Sequence, residues 1–472
     1  MAIATTNPAT GETVHLFEEI SDEELESCLA RAASAFRTVR LTGFEERAGW
    51  MRQTASLLDA DQEPVARLMT MEMGKTVRSA RAEVSKCAQG CRYYADNAEA
   101  LLADQPADPG AVGATTAYAR YQPLGVVLAV MPWNFPLWQV MRFAAPALMA
   151  GNVGLLKHAS NVPQTALYLS DLFRRAGFPD GSFQALLIGS SRVERVVRDR
   201  RVAAVTLTGS GPAGAAVAAV AGEMIKPSVI ELGGSDAFVV MPSADLGAAA
   251  AVAATARCQN NGQSCIAAKR FIVHKSVADE FERRFVQNMT ALTVGDPLEE
   301  HTDIGPLATR AGRDEIEELV ADAVAKGARL LCGGERLPGP GWYYPPTVIT
   351  ELTPEMRLYS EEAFGPVASL YRVGSAEEAI DLANATEFGL GANAWTNDEE
   401  ECRRFVRDLE AGSVFVNGMV TSYPELPFGG IKSSGYGREL SAPGIRAFCN
   451  LKTVWAGGGT GAGRGPSYEP GT

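Results

Sequence analysis

From Gly125 onward, short apolar runs alternate with longer stretches of helical spacing. The runs are 126–131, 153–156, 183–188, 203–207, 228–231 and 237–240. Helical patterns lie between them at about 163–176, 191–200, 212–222 and 245–257. Continuous apolar runs read as strands buried on both faces, and their alternation with helices predicts βαβ units and a parallel sheet. A second series follows, with strands at 270–273, 329–332, 366–372, 390–395 and 413–416 and helices at 276–291, 310–325, 375–386 and 398–409. Two doubly wound α/β domains are the expected fold class.

Ahead of these series, helical periodicity runs with breaks from Ser21 to about Ala103. Ser21 and Glu24 stand at capping-box spacing. Residues 104–115 read as a loop, and alternation at 116–122 predicts a strand of a hairpin. The tail from Gly457 to Thr472 is Gly-rich, carries Pro466 and Pro470, and reads as disordered.

Composition narrows the function. The 472 residues are 46% hydrophobic and 21% charged, enough for two or three cored domains. A formal charge of -13 and no basic block argue against nucleic acid or an anionic membrane as partner. No apolar run reaches membrane-span length; the stretch 124–138 is broken by Pro132, Asn134 and Pro136. No secretory pattern opens the chain, so a cytoplasmic protein with reduced thiols is expected. Eight cysteines do not make a disulfide framework in a chain this long, and Cys87 and Cys91, four apart, read as core. The four histidines pair with no cysteine or carboxylate at ligand spacing, so no metal is expected.

Five segments carry candidate chemistry. Cys265 follows the Asn261-Gly262 turn signal. If it sits exposed at the mouth of a helix, facing backbone N–H groups, its pKa falls and it becomes a nucleophile; the alternative is a buried structural thiol. Asn134 lies between Pro132 and Pro136, so its amide is preset, either for an oxyanion or as a cap for the next helix. Glu231 ends an apolar strand before Gly233-Gly234. A buried carboxylate there has a raised pKa suited to a general base, unless the turn's N–H groups satisfy it. Glu361-Glu362 precede a Gly-Pro turn and would otherwise be a solvated loop. Gly209, Gly211 and Gly214 spell G-x-G-x-x-G between a strand and a helix, a pattern that admits a pyrophosphate. On that reading Glu231 could instead bind a ribose.

Taken in order, Pro132–Pro136, Lys157–Ser160, Thr208–Ser210, Glu231–Gly234, Asn261–Cys265, Glu361–Pro366 and Pro427–Gly430 make the chain resemble the aldehyde dehydrogenase superfamily over roughly residues 5–455. The run from Pro132 to Arg142, with Lys157-His158-Ala159 and Glu231–Asp236, is similar to the succinate-semialdehyde branch. The resemblance implies Cys265 as nucleophile, Asn134 and the Cys265 N–H as oxyanion donors, and Glu231 as the base that activates water. It implies NAD(P)+ as cofactor. Lys157 and Ser160 would meet the adenosine ribose, Gly209 and Ser210 the pyrophosphate, and Glu362 the nicotinamide ribose. Trp133, Leu232 and Phe364 would line that site. It further implies a Rossmann-like cofactor domain (1–104 and 124–233), a catalytic domain (234–433), and a bridging β-hairpin (105–123 with 447–457) that makes homodimers or homotetramers, followed by the tail 458–472.

Departures bear on selectivity. NAD-restricted members often carry Glu where this chain has Ser160, so NADP is expected to be tolerated. Arg142 stands where succinate-semialdehyde enzymes grip the distal carboxylate, but the second arginine many of them carry is Gln259 here. Trp138, Ser422 and Phe428 complete the expected small-molecule aldehyde pocket, while Glu425 nearby would oppose an anion. The alternatives are a dehydrogenase of a neutral or aromatic aldehyde, an acylating enzyme that uses coenzyme A, a reductase of an acyl phosphate, and a non-catalytic binding protein on the same scaffold.

Overall fold

The computed structural model describes residues 2–457; the expected disordered tail, 458–472, lies outside the described residues. Four helices, Asp22–Val39, Phe44–Ala60, Gln62–Met73 and Val77–Leu101, fill the N-terminal segment of helical periodicity. The first is closed by the capping box. Ser21 Oγ accepts from Glu24 N at 3.1 Å, and Ser21 N donates to the Glu24 carboxylate at 2.9 Å. Cys87 and Cys91 are fully buried on the fourth.

Two large sheets carry the chemistry. The first has the order Gly435–Tyr436, Ser228–Glu231, Val202–Thr208, Val126–Met131, Val153–His158, Phe183–Ala185, parallel except for the first-named strand. Its strands are apolar on both faces because both faces are covered. Val126 and Leu128 point into one core with Leu155 and Val205, while Val127 and Ala129 point into another with Leu156 and Ala204. The second sheet has the order Arg329–Cys332, Thr347–Thr350, Val367–Val373, Arg270–His274, Ala237–Val240, Gly391–Trp395, Ser413–Val416, parallel except for the first-named strand.

Pairing corrects the sequence reading at two places. The strand Ala237–Val240 belongs to the second sheet, not to the first series, because the chain leaves the first sheet at Gly233-Gly234. Thr347–Thr350 is a fully buried strand that the pattern missed beside Pro345-Pro346. The strand Thr116–Pro123 pairs antiparallel with its sequence neighbour Gln105–Pro106 and, across eight residue pairs, with Cys449–Ala456, so the small sheet has three strands.

In the first sheet the strand order turns back between Val126–Met131 and Val202–Thr208. Connections leave in opposite directions there, so a crevice opens beyond the carboxyl ends of the strands, where α/β sheets bind ligands. Pro132–Pro136 follows the first of these strands, and Thr208-Gly209-Ser210 ends the second.

Candidate active site

The Asn134 loop is held from three sides. Glu83, on the Val77–Leu101 helix, accepts from Leu137 N at 2.9 Å and Trp138 N at 2.8 Å. It thereby caps the Trp138–Met149 helix, a role Asn134 does not take. Its other oxygen pairs with the buried Lys75, whose ammonium lies 4.3 Å from the Phe135 ring centroid. His158 closes the third side. Its Nδ1 accepts from Ala159 N at 3.0 Å, so the proton sits on Nε2, 2.9 Å from the Pro136 carbonyl. Burial pulls the His158 pKa down to about 4, so the ring stays neutral. The Asn134 amide itself donates to Gln263 O at 3.1 Å, using one of its two N–H donors.

The nucleophile loop is equally fixed. After the Leu246–Cys258 helix, Asn260, Asn261 and Gly262 all take positive φ. Asn261 donates to Gly74 O at 2.9 Å and Pro306 O at 3.0 Å, and accepts from Gly305 N at 2.9 Å. Gly262 has φ +76°, and a Cβ there would stand 2.4 Å from the Gly365 carbonyl carbon. This contact joins two motifs that lie far apart in the sequence, Asn261–Cys265 and Glu361–Pro366. Lys269 Nζ donates to Ser264 O at 3.0 Å and Cys265 O at 2.9 Å, and reaches Glu362 Oε1 at 3.1 Å. Glu362 Oε1 also accepts from Gly234 N at 3.1 Å, so it is a built carboxylate and not a solvated loop residue.

Cys265 departs from the expected microenvironment. It is half-buried and opens no helix; the next helix is Ala278–Thr290. Burial pushes its thiol up to about 12, against the pull of Arg142 and Lys269. The expected lowering of its pKa is therefore not found, because desolvation outweighs both cations.

Glu231 is 2% exposed, and neither carboxylate oxygen has a hydrogen-bond partner among the described residues. Burial pushes its pKa well up and the neighbouring Glu439 adds to this; Arg142, Arg438 and the Gly430 backbone pull the other way without restoring it. Gly429, at φ +154°, lets the chain wrap over this carboxylate, since a Cβ there would stand 2.7 Å from Glu231 Oε1.

A cavity of about 670 Å³ opens at the crevice and brings together Cys265, Asn134, Trp133, Gly209, Ser210, Leu232, Glu362 and Phe364. Trp133 and Phe364 meet edge to face at 5.7 Å. Glu231 lies outside this lining, turned toward Gly429 and Glu439, which removes the ribose reading. Lys157 and Ser160 sit at the carboxyl end of Val153–His158, also outside the lining. Lys157 is buried with no carboxylate in ion-pair reach among the described residues, and burial lowers its pKa.

The residues expected to bind substrate form a second cluster. Trp138 Nε1 donates to Ser422 Oγ at 2.8 Å. Arg142 lies 4.4 Å over the Phe428 ring and forms a buried ion pair with Glu439. Arg142 thus already has a carboxylate of the chain as partner, which the sequence reading did not foresee. Phe428 and Glu439 exchange backbone hydrogen bonds at 2.8 and 2.7 Å, and this bridge carries Glu439 to the guanidinium. Gln259 is half-buried, its amide turned back to Ala256 O at 3.5 Å, and Glu425 is exposed. Glu83, Lys75, Lys269 and Glu439 were missed in the sequence because each acts through a partner distant in the chain or through backbone carbonyls. Lys269, four residues after the nucleophile, carried the one local signal.

The buried pair is open to test. Arg142→Leu leaves the buried Glu439 carboxyl without its partner, at an expected cost of about 3–5 kcal/mol. Thermal unfolding should show a lowered Tm, and Glu439→Gln in the same chain should restore part of it. An unchanged Tm in Arg142→Leu would refute the pairing.

The crevice at the switch point thus gathers a half-buried thiol and a preset amide, with the buried Glu231 carboxylate just outside its lining. The chain belongs to the aldehyde dehydrogenase family, whose family model matches residues 1–454. It is 66% identical over 458 residues, 97% of this chain and 100% of the relative, to succinate-semialdehyde dehydrogenase [NADP(+)] 1 of Mycobacterium ulcerans. It is 64% identical over 455 residues, 96% of this chain and 100% of the relative, to the enzyme of that name in Mycobacterium tuberculosis. Among solved structures it is similar to succinic semialdehyde dehydrogenase from Streptococcus pyogenes in complex with NADP+. That match has a TM-score of 0.94 and 38% identity, covering 97% of this chain and 100% of the other.

Proposed function

We propose that this NAD(P)+-dependent aldehyde dehydrogenase oxidises succinate semialdehyde to succinate, with Cys265, Asn134 and Glu231 as its catalytic residues. One observation supports the chemistry above all: a single cavity holds the Cys265 thiol and the Asn134 amide beside the start of the Gly211–Glu223 helix. The substrate reading draws on the activity named for relatives at 64–66% identity.

The residues present fit a dinucleotide. The Gly211–Glu223 helix has no side-chain cap at Ser210, and the space beside Gly211 is open, so its N-terminal N–H groups can take a pyrophosphate. Gly209 and Ser210 would hold that group, Lys157 and Ser160 the adenosine ribose, and Glu362 the second ribose, with Trp133, Leu232 and Phe364 as walls. Bound NAD(P)+ supplies the acceptor for the substrate hydride.

The chain's own groups perform the rest. The Cys265 thiol gives its proton to water, the thiolate adds to the aldehyde carbon as the carbonyl π bond breaks, and the new alkoxide is held by the free Asn134 N–H and the Cys265 N–H. Loss of hydride leaves a thioester on Cys265. Glu231 then takes a proton from water, the hydroxide adds to the acyl carbon, and the C–S bond breaks to free the Cys265 thiolate and the acid, the Glu231 proton passing on to solvent. A coenzyme A-dependent outcome is disfavoured by this buried, proton-accepting carboxylate.

Initial rates with succinate semialdehyde, glutarate semialdehyde and butanal, each with NAD and NADP, test the reading. A strong preference for succinate semialdehyde over butanal is expected. Activity on neutral aldehydes alone would overturn the substrate but leave the chemistry at Cys265. NADP is accepted because Ser160 carries no charge; more than a hundredfold preference for NAD would refute this. A carboxylate at that place repels a 2′-phosphate by roughly 1–4 kcal/mol for unit charges 4 Å apart. Ser160→Glu should therefore raise KM for NADP at least about tenfold and spare NAD, as read from initial rates.

Among the described residues no helix is long and apolar enough to cross a membrane. We place the enzyme in the cytoplasm as a homodimer or homotetramer. Assembly would use the small sheet of Thr116–Pro123 and Cys449–Ala456, which leaves Leu451 and Trp455 half exposed. Light scattering that gives a monomer would refute the assembly.

A further inference from the structure

The second cluster contains a cation that the mechanism does not use. Lys86 lies on the Val77–Leu101 helix, one turn beyond the capping residue Glu83. Its ammonium donates to Ser422 Oγ at 3.0 Å and lies 4.4 Å from the Trp138 ring centroid. Ser422 Oγ therefore accepts twice, from Lys86 and from Trp138 Nε1 at 2.8 Å. A hydroxyl has two lone pairs and one O–H, so both acceptor sites of Ser422 are filled and its own O–H remains to donate. The Lys86 ammonium has three N–H donors and uses one on Ser422.

No carboxylate lies within ion-pair distance of Lys86 among the described residues, whereas Arg142 is already paired with Glu439. Burial pulls the Lys86 pKa down to about 8, and the like charge of Arg142 adds to the pull. A cation desolvated against an indole and left without an anion is unusual, because burial of charge is tolerated when it is paired. The three segments that enclose it are packed tightly. At Gly90, one turn further along the helix, a Cβ would touch Trp138 at 3.2 Å and Pro424 at 3.9 Å. Trp138, Val420 and Phe428 belong to the same core against which the Cys265 side chain packs.

We propose that Lys86, together with the Ser422 hydroxyl, receives the distal carboxylate of the substrate. This rests on the semialdehyde-acid reading above and assigns the recognition to a residue outside the two catalytic loops. The carboxylate would meet two free N–H donors of Lys86 and the O–H of Ser422, with the Trp138 ring as the wall beneath. Arg142 contributes its field from behind, already committed to Glu439.

The test uses the full-length enzyme at saturating NADP. Lys86→Met should raise KM for succinate semialdehyde at least about tenfold and leave butanal within threefold, so butanal oxidation also reports that the variant is folded. Lys86→Gln, which keeps a donor toward Ser422, should show the same loss and serves if the methionine variant does not fold. Lys86→Arg should recover most of the affinity, which a merely structural lysine would not require. A wild-type enzyme that oxidises butanal as well as the acid overturns the substrate reading and this inference with it. A wild-type enzyme that prefers the acid, with neutral variants that keep the preference or lose both substrates equally, overturns the role of Lys86 alone.

Discussion

Cys265→Ala should abolish aldehyde oxidation, with a fall in turnover on the order of 10⁶-fold, the scale seen when the nucleophile is taken from a set of residues acting as a unit. Binding should survive, because the cavity keeps Trp133, Gly209, Ser210, Glu362 and Phe364. The measurement is turnover of succinate semialdehyde beside NADP binding by fluorescence titration. Lost activity with intact binding is the expected pair of results. Activity within tenfold of wild type would remove Cys265 from the mechanism. The free thiol, pushed up to about 12, carries almost no thiolate at neutral pH, so the rate of its addition should climb as pH rises.

Glu231→Gln gives the second large effect, and a different one. The amide cannot take a proton from water, so the thioester forms and then waits. A burst of about one reduced nicotinamide per active site should precede a steady rate lowered by roughly 10²–10⁴-fold. Rapid mixing with succinate semialdehyde and NADP reads both phases. A loss of the burst itself would place Glu231 before the thioester and refute its role as the hydrolytic base. The sign with pH follows from its environment. Burial and Glu439 hold the Glu231 pKa above the ordinary carboxylate range, so the carboxyl is protonated at lower pH and its base form grows as pH rises. Wild-type deacylation should therefore rise with pH, and that dependence should be missing from Glu231→Gln.

Local pattern made most elements legible. The run Val126–Met131 and the helix Arg310–Ala325 were readable because periodicity and end signals act within a few residues. The short strands Ile3–Thr6, Thr347–Thr350 and Gly435–Tyr436 were not, because what makes each a strand is a partner supplied by another part of the fold. The same division runs through the site. Cys265, Asn134, Glu231 and Glu362 stood out in the sequence because turn residues and their neighbours mark them. Their surroundings did not. The pKa of Cys265 came out opposite to the local expectation, since a turn beside a cysteine predicts exposure and says nothing of the core that closes over it.

The sequence by itself determined two α/β layers, the order of the motifs and the residue types the chemistry needs, since all of these depend on short-range periodicity and on turns that glycine, proline and asparagine impose. Only the tertiary structure decided which side chains share one space. It sets Glu83 under the Asn134 loop, Lys269 behind Cys265, Glu439 against Arg142 and Lys86 against Ser422. Lys269 apart, the partners lie tens to hundreds of residues away in the chain and are fixed by sheet order and packing, which no local pattern encodes.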